Sequence, residues 1–369
     1  MTITESVKNQ IQLGIEGKNQ GFTTGLDKLD LVTGGIVHSR YLVLTSNPGG
    51  GKTALYLYSY VYSPLKSHLE DGKYRGYFFS MDMSAEQVVG RMLSMYIFDT
   101  YHVELSSDQI FSSKKGYILS GKNYEYVQEA LKWYEKVEKV WTIYDKNVSA
   151  GGLYKRILED LEKYGHFEES ENRKVFIWND PEMIYVIGID HVSLLYQANG
   201  HSIKEEIDLA SNYLKTVRNY GPYIVALQQT NRTQGSMDRR QQGMTNFVLG
   251  DLKDSANPSQ DCDIVIAAYN PNKDRLNTYK GYDIKKLGGN FRTITTLKHR
   301  YGEVDKEFAS TFYGNINMFG EIPYPNEIYD YDKYLTPDYI LEKEDEEKYE
   351  IDNCEDSNKE SENTFKLII

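Results

Sequence analysis

The sequence predicts an α/β fold with a mostly parallel central sheet covered by helices. Three observations carry that prediction. Short apolar runs recur along the chain, segments of helical period lie between them, and a Gly-rich turn joins the first run to a helix-like stretch. The runs are YLVLTS (41–46), YFFSM (77–81), VWTIY (140–144), IYVIGID (184–190), YIVAL (223–227) and DIVIAAY (263–269). Such short runs without polar alternation fit strands buried on both faces. Between them, Ile203, Ile207, Ala210, Leu214 and Val217 step by 4, 3, 4 and 3, which is one face of a helix. Leu153, Ile157, Leu158 and Leu161 do the same. Strands alternating with helices imply crossover connections, hence a parallel sheet. Residues 292–298 and 307–313 read as late antiparallel strands.

The chain has 369 residues, enough for one large domain with appendages or for two domains at about 150 residues each. Residues 1–20 read as a short N-terminal helix or linker, 21–330 as the α/β domain, and 331–369 as an acidic, disordered tail. With 42 Lys+Arg against 54 Asp+Glu the net charge is −12, and residues 341–369 alone supply −7 of it. The remainder is near neutral, which argues against a wholly basic nucleic-acid coat and leaves room for a local basic channel. No run of 18 apolar residues exists, so no spanning helix and no membrane partner are expected. Two cysteines, Cys262 and Cys354, form neither a disulfide framework nor a zinc site, which fits a reducing, cytoplasmic setting.

The strongest local signal is Ser46-Asn47-Pro48-Gly49-Gly50-Gly51-Lys52-Thr53, followed by Ala54. After a strand and before a helix, such a loop wraps phosphate oxygens with backbone N–H groups, and the helix N-terminus adds positive potential. Lys52 would reach the β/γ-phosphates and Thr53 would hold Mg²⁺. The usual first residue is Gly or Ala, and here it is Ser46. Asp190 ends an apolar strand, where a phosphate-loop enzyme places a carboxylate for Mg²⁺. Taken alone it could equally cap a helix, and it lies 138 residues after Lys52.

Several further segments appear in a fixed order: GFTTGLDKLDLVTGG (21–35), the phosphate loop, FFSMDMSAEQVVGRM (78–92), IGIDHVSLL (187–195), PYIVALQQTNR (222–232), LGDLKDSANPSQDCDIVIAAY (249–269) and LKHRYGE (297–303). Over about 300 residues this resembles the ATPase domain of the DnaB-like replicative helicases, a branch of the RecA-like fold. The segment LGGNFRTITTLKHRYGE is similar to the phage-encoded branch. The resemblance implies an ATP-hydrolysing helicase that needs ATP or another NTP and Mg²⁺. It also implies a homo-oligomeric ring, expected as a hexamer, that translocates on single-stranded DNA and unwinds duplex. The compartment would be cytoplasm, that of the host if the protein is phage-encoded.

The same resemblance assigns roles. SMDM matches the family's Ser-Leu-Glu-Met, so Asp82 stands where a Glu activates the attacking water, one methylene shorter. Glu86, one helical turn on, is the lesser candidate. Arg91 matches an Arg near the nucleotide, and Gln229 matches the γ-phosphate sensor. Lys298 and Arg300 alternate on a strand, so both should point to one face. In the family they reach the neighbouring subunit's ATP; without the resemblance they would be two solvated cations. Residues 231–254, with Arg232, Arg239, Arg240, Lys253 and Asp254, match the loops that grip DNA in the central hole. Backbone contact there means weak sequence preference and strong salt dependence. Family members carry a helical N-terminal domain that recruits primase. With about 20 residues before the ATPase, contacts with primase, loader or single-strand-binding protein should be reduced or moved. Two rival readings remain: a RecA-like recombinase or regulatory ATPase, and a nucleotide-binding ring adaptor with weak hydrolysis, which Asp82 keeps open.

Overall fold

The computed structural model describes residues 2–17, 19–170, 173–198, 200–230, 248–252 and 257–342. The expectations for residues 231–247 and 253–256, and for the tail beyond 342, lie outside these residues.

Nine strands form one sheet: β1 (Arg40–Ser46), β2 (Tyr74–Ser80), β3 (Trp141–Tyr144), β6 (Ile184–Asp190), β7 (Tyr223–Gln229), β8 (Ile264–Tyr269), β11 (Phe291–His299), β12 (Glu307–Tyr313) and β13 (Met318–Glu321). Between β3 and β6 stands a separate hairpin of β4 (Gly165–Ser170) and β5 (Arg173–Trp178), and a two-residue pair β9 (Thr278–Tyr279) and β10 (Tyr282–Asp283) precedes β11. The order across the sheet is β13-β12-β11-β8-β1-β7-β6-β2-β3. The six strands from β8 to β3 pair in parallel. The strands β11, β12 and β13 join antiparallel. This is the expected RecA-like α/β plan, late antiparallel strands included.

Alternation along each strand builds two apolar layers. Leu42 and Leu44 of β1 face one side with Phe78, Val186 and Val225, while Tyr41 and Val43 face the other with Ile187, Ile224 and Val265. All seven residues of β6 and all six of β8 are buried, which is why these strands read as continuous apolar runs. The helices Ala150–Leu161 and Ile203–Arg218 cover the second layer with Leu153, Ile157, Ile207 and Leu214. The first layer takes the helix that follows the phosphate loop. It starts as Lys52–Tyr56, widens to a π-helical turn over Leu57–Tyr62, and continues as Ser63–His68. Every residue from Ala54 to Leu65 is buried, so this helix is apolar all round rather than amphipathic.

Three features differ from the expectation. The β4–β5 hairpin alternates polar and apolar residues, so it lacks the continuous apolar signal; Phe167 and Phe176 pack edge-on, and Phe167 meets Tyr220 in the same way. β11 ends at His299, with an irregularity between Thr296 and Lys298, so Arg300 follows the strand rather than alternating on it. Past residue 330, where the sequence predicts a tail, Tyr339 and Ile340 are 5% exposed, and the Tyr313 hydroxyl donates to the Tyr334 carbonyl at 2.8 Å. Tyrosines spaced among acidic residues carry this packing, and their polarity hid it. The N-terminal helix Ile3–Ile15 is capped by Thr2 and Glu5, and Ile3, Val7, Ile11 and Ile15 on one face of it are exposed. No helix among the described residues is long and apolar enough to cross a membrane.

Candidate active site

The parallel register collects the candidate residues along one edge of the sheet. Ser46 lies opposite Gln229, Leu227 opposite Asp190, and Asp190 opposite Ser80. Four segments far apart in the chain thus deliver their strand ends to one place. This is the carboxyl edge of the sheet, where open α/β proteins bind ligands.

The loop turns at Gly51, whose φ of +102° a side chain would strain, and then enters the helix at Lys52. The helix crosses directly over β6, because a Cβ at Gly188 would lie 2.2 Å from the Tyr56 ring. That close approach sets Lys52 and Thr53 on Asp190. The Lys52 Nζ is 2.9 Å from Asp190 Oδ1, and the Thr53 hydroxyl donates to Oδ2 at 2.5 Å. Asp190 is 1% exposed and Lys52 12%, so the pair is a buried one whose desolvation is offset by these bonds. The carboxylate is therefore a neighbour of the phosphate loop and not a helix cap. A hydroxyl and a carboxylate on adjacent positions are the hard oxygen donors that Mg²⁺ takes beside phosphate oxygens. Among the described residues no three His, Cys, Asp or Glu gather into a metal cage, so the protein's share of such a site is this pair.

Asp82 sits in the tight loop after β2. The Ser80 hydroxyl donates to the Met83 carbonyl at 2.7 Å, and the Met81 N–H donates to the Asp190 carbonyl at 2.7 Å. The next helix, Ala85–Tyr101, is held by a Ser84–Gln87 capping box and by Asp145, which accepts from the Ala85 N–H at 2.9 Å. Asp82 itself is exposed beside the site. Arg91 projects from that helix. Burial pushes its guanidinium below the ordinary arginine value, and the charges of Asp190 and Asp82 pull it back up. Glu86 is held low by its bond to Ser84 and its own amide, and it feels Asp145 instead. It belongs to the helix cap. Gln229 Nε2 stands 3.2 Å from His191 Nε2, so the residue after Asp190 touches the end of β7. Sequence reasoning does not single out His191; its position next to Asp190 was the available signal.

Two cations under the loop were missed. Arg292, 4% exposed, donates from Nε to the Gly50 carbonyl at 2.8 Å and from Nη1 to Gly289 and Phe291. Burial pushes it down to about 10. Lys273 donates to the Pro48 carbonyl at 2.5 Å, and a Cβ at Gly49 would fall 2.2 Å from its ammonium. Burial first, then the Arg292 charge, lowers its affinity for a proton. A lone Arg in a buried strand was a signal for Arg292. For Lys273, in an ordinary polar turn, there was none.

Lys298 and Arg300 lie at the other end of the sheet. Lys298 Nζ donates to the carbonyls of Ser259, Gln260 and Cys262 at 2.8, 2.8 and 2.7 Å. Arg300 Nη1 is 3.1 Å from Asp263 Oδ1 and remains 42% exposed. Asp263 also accepts from the Tyr41 N–H, at the start of β1. From Tyr41 to Ser46 the strand runs about 17 Å, so Arg300 cannot reach the phosphate loop of its own chain. Arg232, Arg239, Arg240, Lys253 and Asp254 lie outside the described residues.

Residues 21–321 match the DnaB-like helicase C terminal domain. The replicative DNA helicase DnaB of Mycoplasma genitalium is 22% identical over 261 residues, 69% of this chain and 47% of that protein. The chain thus spans about half the length of that curated relative. Among solved structures, the ATPase domain of a phage helicase superposes with a TM-score of 0.65 at 19% identity, covering 87% of this chain and 99% of that one. A DnaB-like replicative helicase, described with its interactions with primase, gives 0.64 at 18% identity, covering 87% and 69%. Those two likenesses bear on the fold, and the domain match, running from the segment before the phosphate loop to β13, assigns the chain to the DnaB-like helicase C-terminal domain family.

Proposed function

We propose that this chain is the motor of an ATP-dependent replicative helicase: a ring that hydrolyses nucleoside triphosphate, moves along single-stranded DNA and unwinds duplex. The observation that carries this reading is the closure of Lys52 and Thr53 onto Asp190, with Arg300 at the far end of the same sheet.

Loop amides and the N-terminus at Lys52 bind the phosphates. Lys52 exchanges its bond to Asp190 for one to the β/γ-phosphates, and Thr53 with Asp190 would hold Mg²⁺. When bound, that ion bridges phosphate oxygens and neutralises charge. Asp82 orients a water and takes its proton as it attacks the γ-phosphorus; its exposed place beside Arg91 and Asp190 supports that role. Gln229 binds or releases a γ-phosphate oxygen. It lies two residues from the stretch 231–254, where Arg232, Arg239, Arg240, Lys253 and Asp254 would grip DNA. Arg300, exposed and remote from its own loop, would complete a neighbour's site, which makes a ring necessary for fast hydrolysis; we read that ring as a hexamer. Primase is the partner suggested by the similar helicase, while a loader and a single-strand-binding protein rest on the family resemblance alone.

The test is hydrolysis with and without single-stranded DNA, beside unwinding of a forked duplex and a strand-exchange assay. DNA-stimulated hydrolysis with unwinding is expected. Strand exchange without unwinding would assign a recombinase, and nucleotide binding without turnover would assign an adaptor.

A further inference from the structure

We infer that Lys298 and Asp263 are positioning residues for Arg300, and that they fasten it to the segment that follows the DNA-binding stretch. This rests on the trans role of Arg300 proposed above.

An ammonium has three N–H donors. Lys298 spends them on three carbonyls within 2.8 Å, at the C-terminal end of the short helix Asn257–Asp261. Those carbonyls have no partner within the helix, and a cation there also meets the negative end of the helix dipole. To touch a neighbour's phosphate, Lys298 would have to abandon all three bonds. Arg300 is held differently. Its main-chain N–H donates to the Asp263 carbonyl at 2.9 Å and one side-chain nitrogen meets the Asp263 carboxylate, while the guanidinium has further N–H groups and stays 42% exposed.

Asp263 is fully buried and is itself over-determined. Oδ2 accepts from the Tyr41 N–H at 2.9 Å, and Oδ1 takes Arg218 at 2.7 Å. With Arg218 present, the carboxylate stays compensated if Arg300 swings outward. Residues 257–263 join 253–256 to β8, so one seven-residue stretch carries both anchors of the arginine. Asp261 ties the same stretch to Ser211 and Lys215 of the helix Ile203–Arg218. A pull on DNA at 253–256 would therefore act on the Lys298 cage and Asp263, and through them on the angle of Arg300.

The experiment compares Lys298→Arg, Asp263→Asn and Arg300→Ala in the full chain, using an oligo-dT probe, steady-state hydrolysis, nucleotide binding and thermal unfolding. Arginine is a good phosphate ligand, but its planar fork cannot place three N–H groups on one three-carbonyl apex. Lys298→Arg and Asp263→Asn should each lose about 10²-fold in DNA-stimulated kcat, the scale of a 1 Å misplacement, with KM little changed. The ratio of stimulated to basal hydrolysis should fall towards one. Lys298→Arg with near-normal stimulation, or with a changed KM as its main defect, would overturn the inference in favour of direct contact. If Lys298→Arg does not fold, Lys298→Gln decides by the same criteria. Wild-type hydrolysis in Arg300→Ala would instead bring down the trans role itself.

Discussion

The two ends of the nine-stranded sheet hold the same kinds of residue and do opposite things with them. At the carboxyl edge, Lys52 and Thr53 close on the 1%-exposed Asp190, and further cations, Arg91, Lys273 and Arg292, crowd below or beside the loop. At the far edge, the fully buried Asp263 is shared between Arg218 and Arg300, and Arg300 keeps 42% of its side chain in solvent. The first arrangement is inward and waits for an anion. The second is outward and offers spare N–H donors to whatever docks there. On the proposed reading one subunit contains two half-sites separated by the length of β1, and a second copy brings such halves together.

The most severe way to break this comparison is at the inward end. Lys52→Ala should reduce hydrolysis to background, because the phosphates lose their cation and Asp190 is left as an uncompensated buried charge. Phosphate release near the wild-type rate in that variant would remove the active-site assignment.

The outward end should come next. Arg300→Ala is expected to cost about 10³–10⁵ in rate, the range of a trans arginine in phosphoryl transfer. Neither variant should hydrolyse alone, yet a mixture forms some interfaces with an intact Lys52 on one side and an intact Arg300 on the other. Once subunit exchange is verified, mixing Lys52→Ala with Arg300→Ala should restore activity. Mixed rings no better than either parent would mean that the two ends do not meet.

A third variant asks how complete the inward end is. Asp82→Asn should lose about 10²–10⁴-fold, the usual contribution of a general base, while Asp82→Glu keeps or raises the rate by restoring the family's reach. Full turnover in the Asn variant would move the base elsewhere. Glu86 is a poor heir, since it is committed to Ser84 at the helix cap.

These predictions also mark what could be read from the chain before its structure. Lys52, Thr53 and Asp190 were legible because a phosphate loop and a strand-end carboxylate are local patterns. Their meeting was not, because it depends on β7 lying between β1 and β6, and strand order is a non-local fact. β6 and β8 were legible as strands because burial on both faces leaves an unbroken apolar run. The β4–β5 hairpin and residues 331–342 were not, because aromatic residues set among charges pack by geometry that composition does not record. Lys298 shows the limit most clearly. Its spacing from Arg300 suggested a shared outward face, whereas the end of β11 at His299 turns one cation into a helix cap and leaves the other exposed.

The smallest expected effect concerns Lys273, which no sequence pattern singles out. Its bond to the Pro48 carbonyl closes the phosphate loop from below, beside Gly49. A hydrogen bond of this kind contributes about 1 kcal/mol net, so Lys273→Met should weaken nucleotide binding by about fivefold and leave kcat nearly unchanged. Gly49→Ala should be worse, because it adds a methyl 2.2 Å from the ammonium and forces a φ of +67° on a residue with a side chain. The ammonium is the far end of a flexible chain, so the clash is removable and the backbone strain is not. Combining Gly49→Ala with Lys273→Met should therefore bind nucleotide no worse than Gly49→Ala alone, and short of wild type. If the double variant instead loses the full product of the two single effects, Lys273 and Gly49 act independently, and the lysine is not a clamp on the loop.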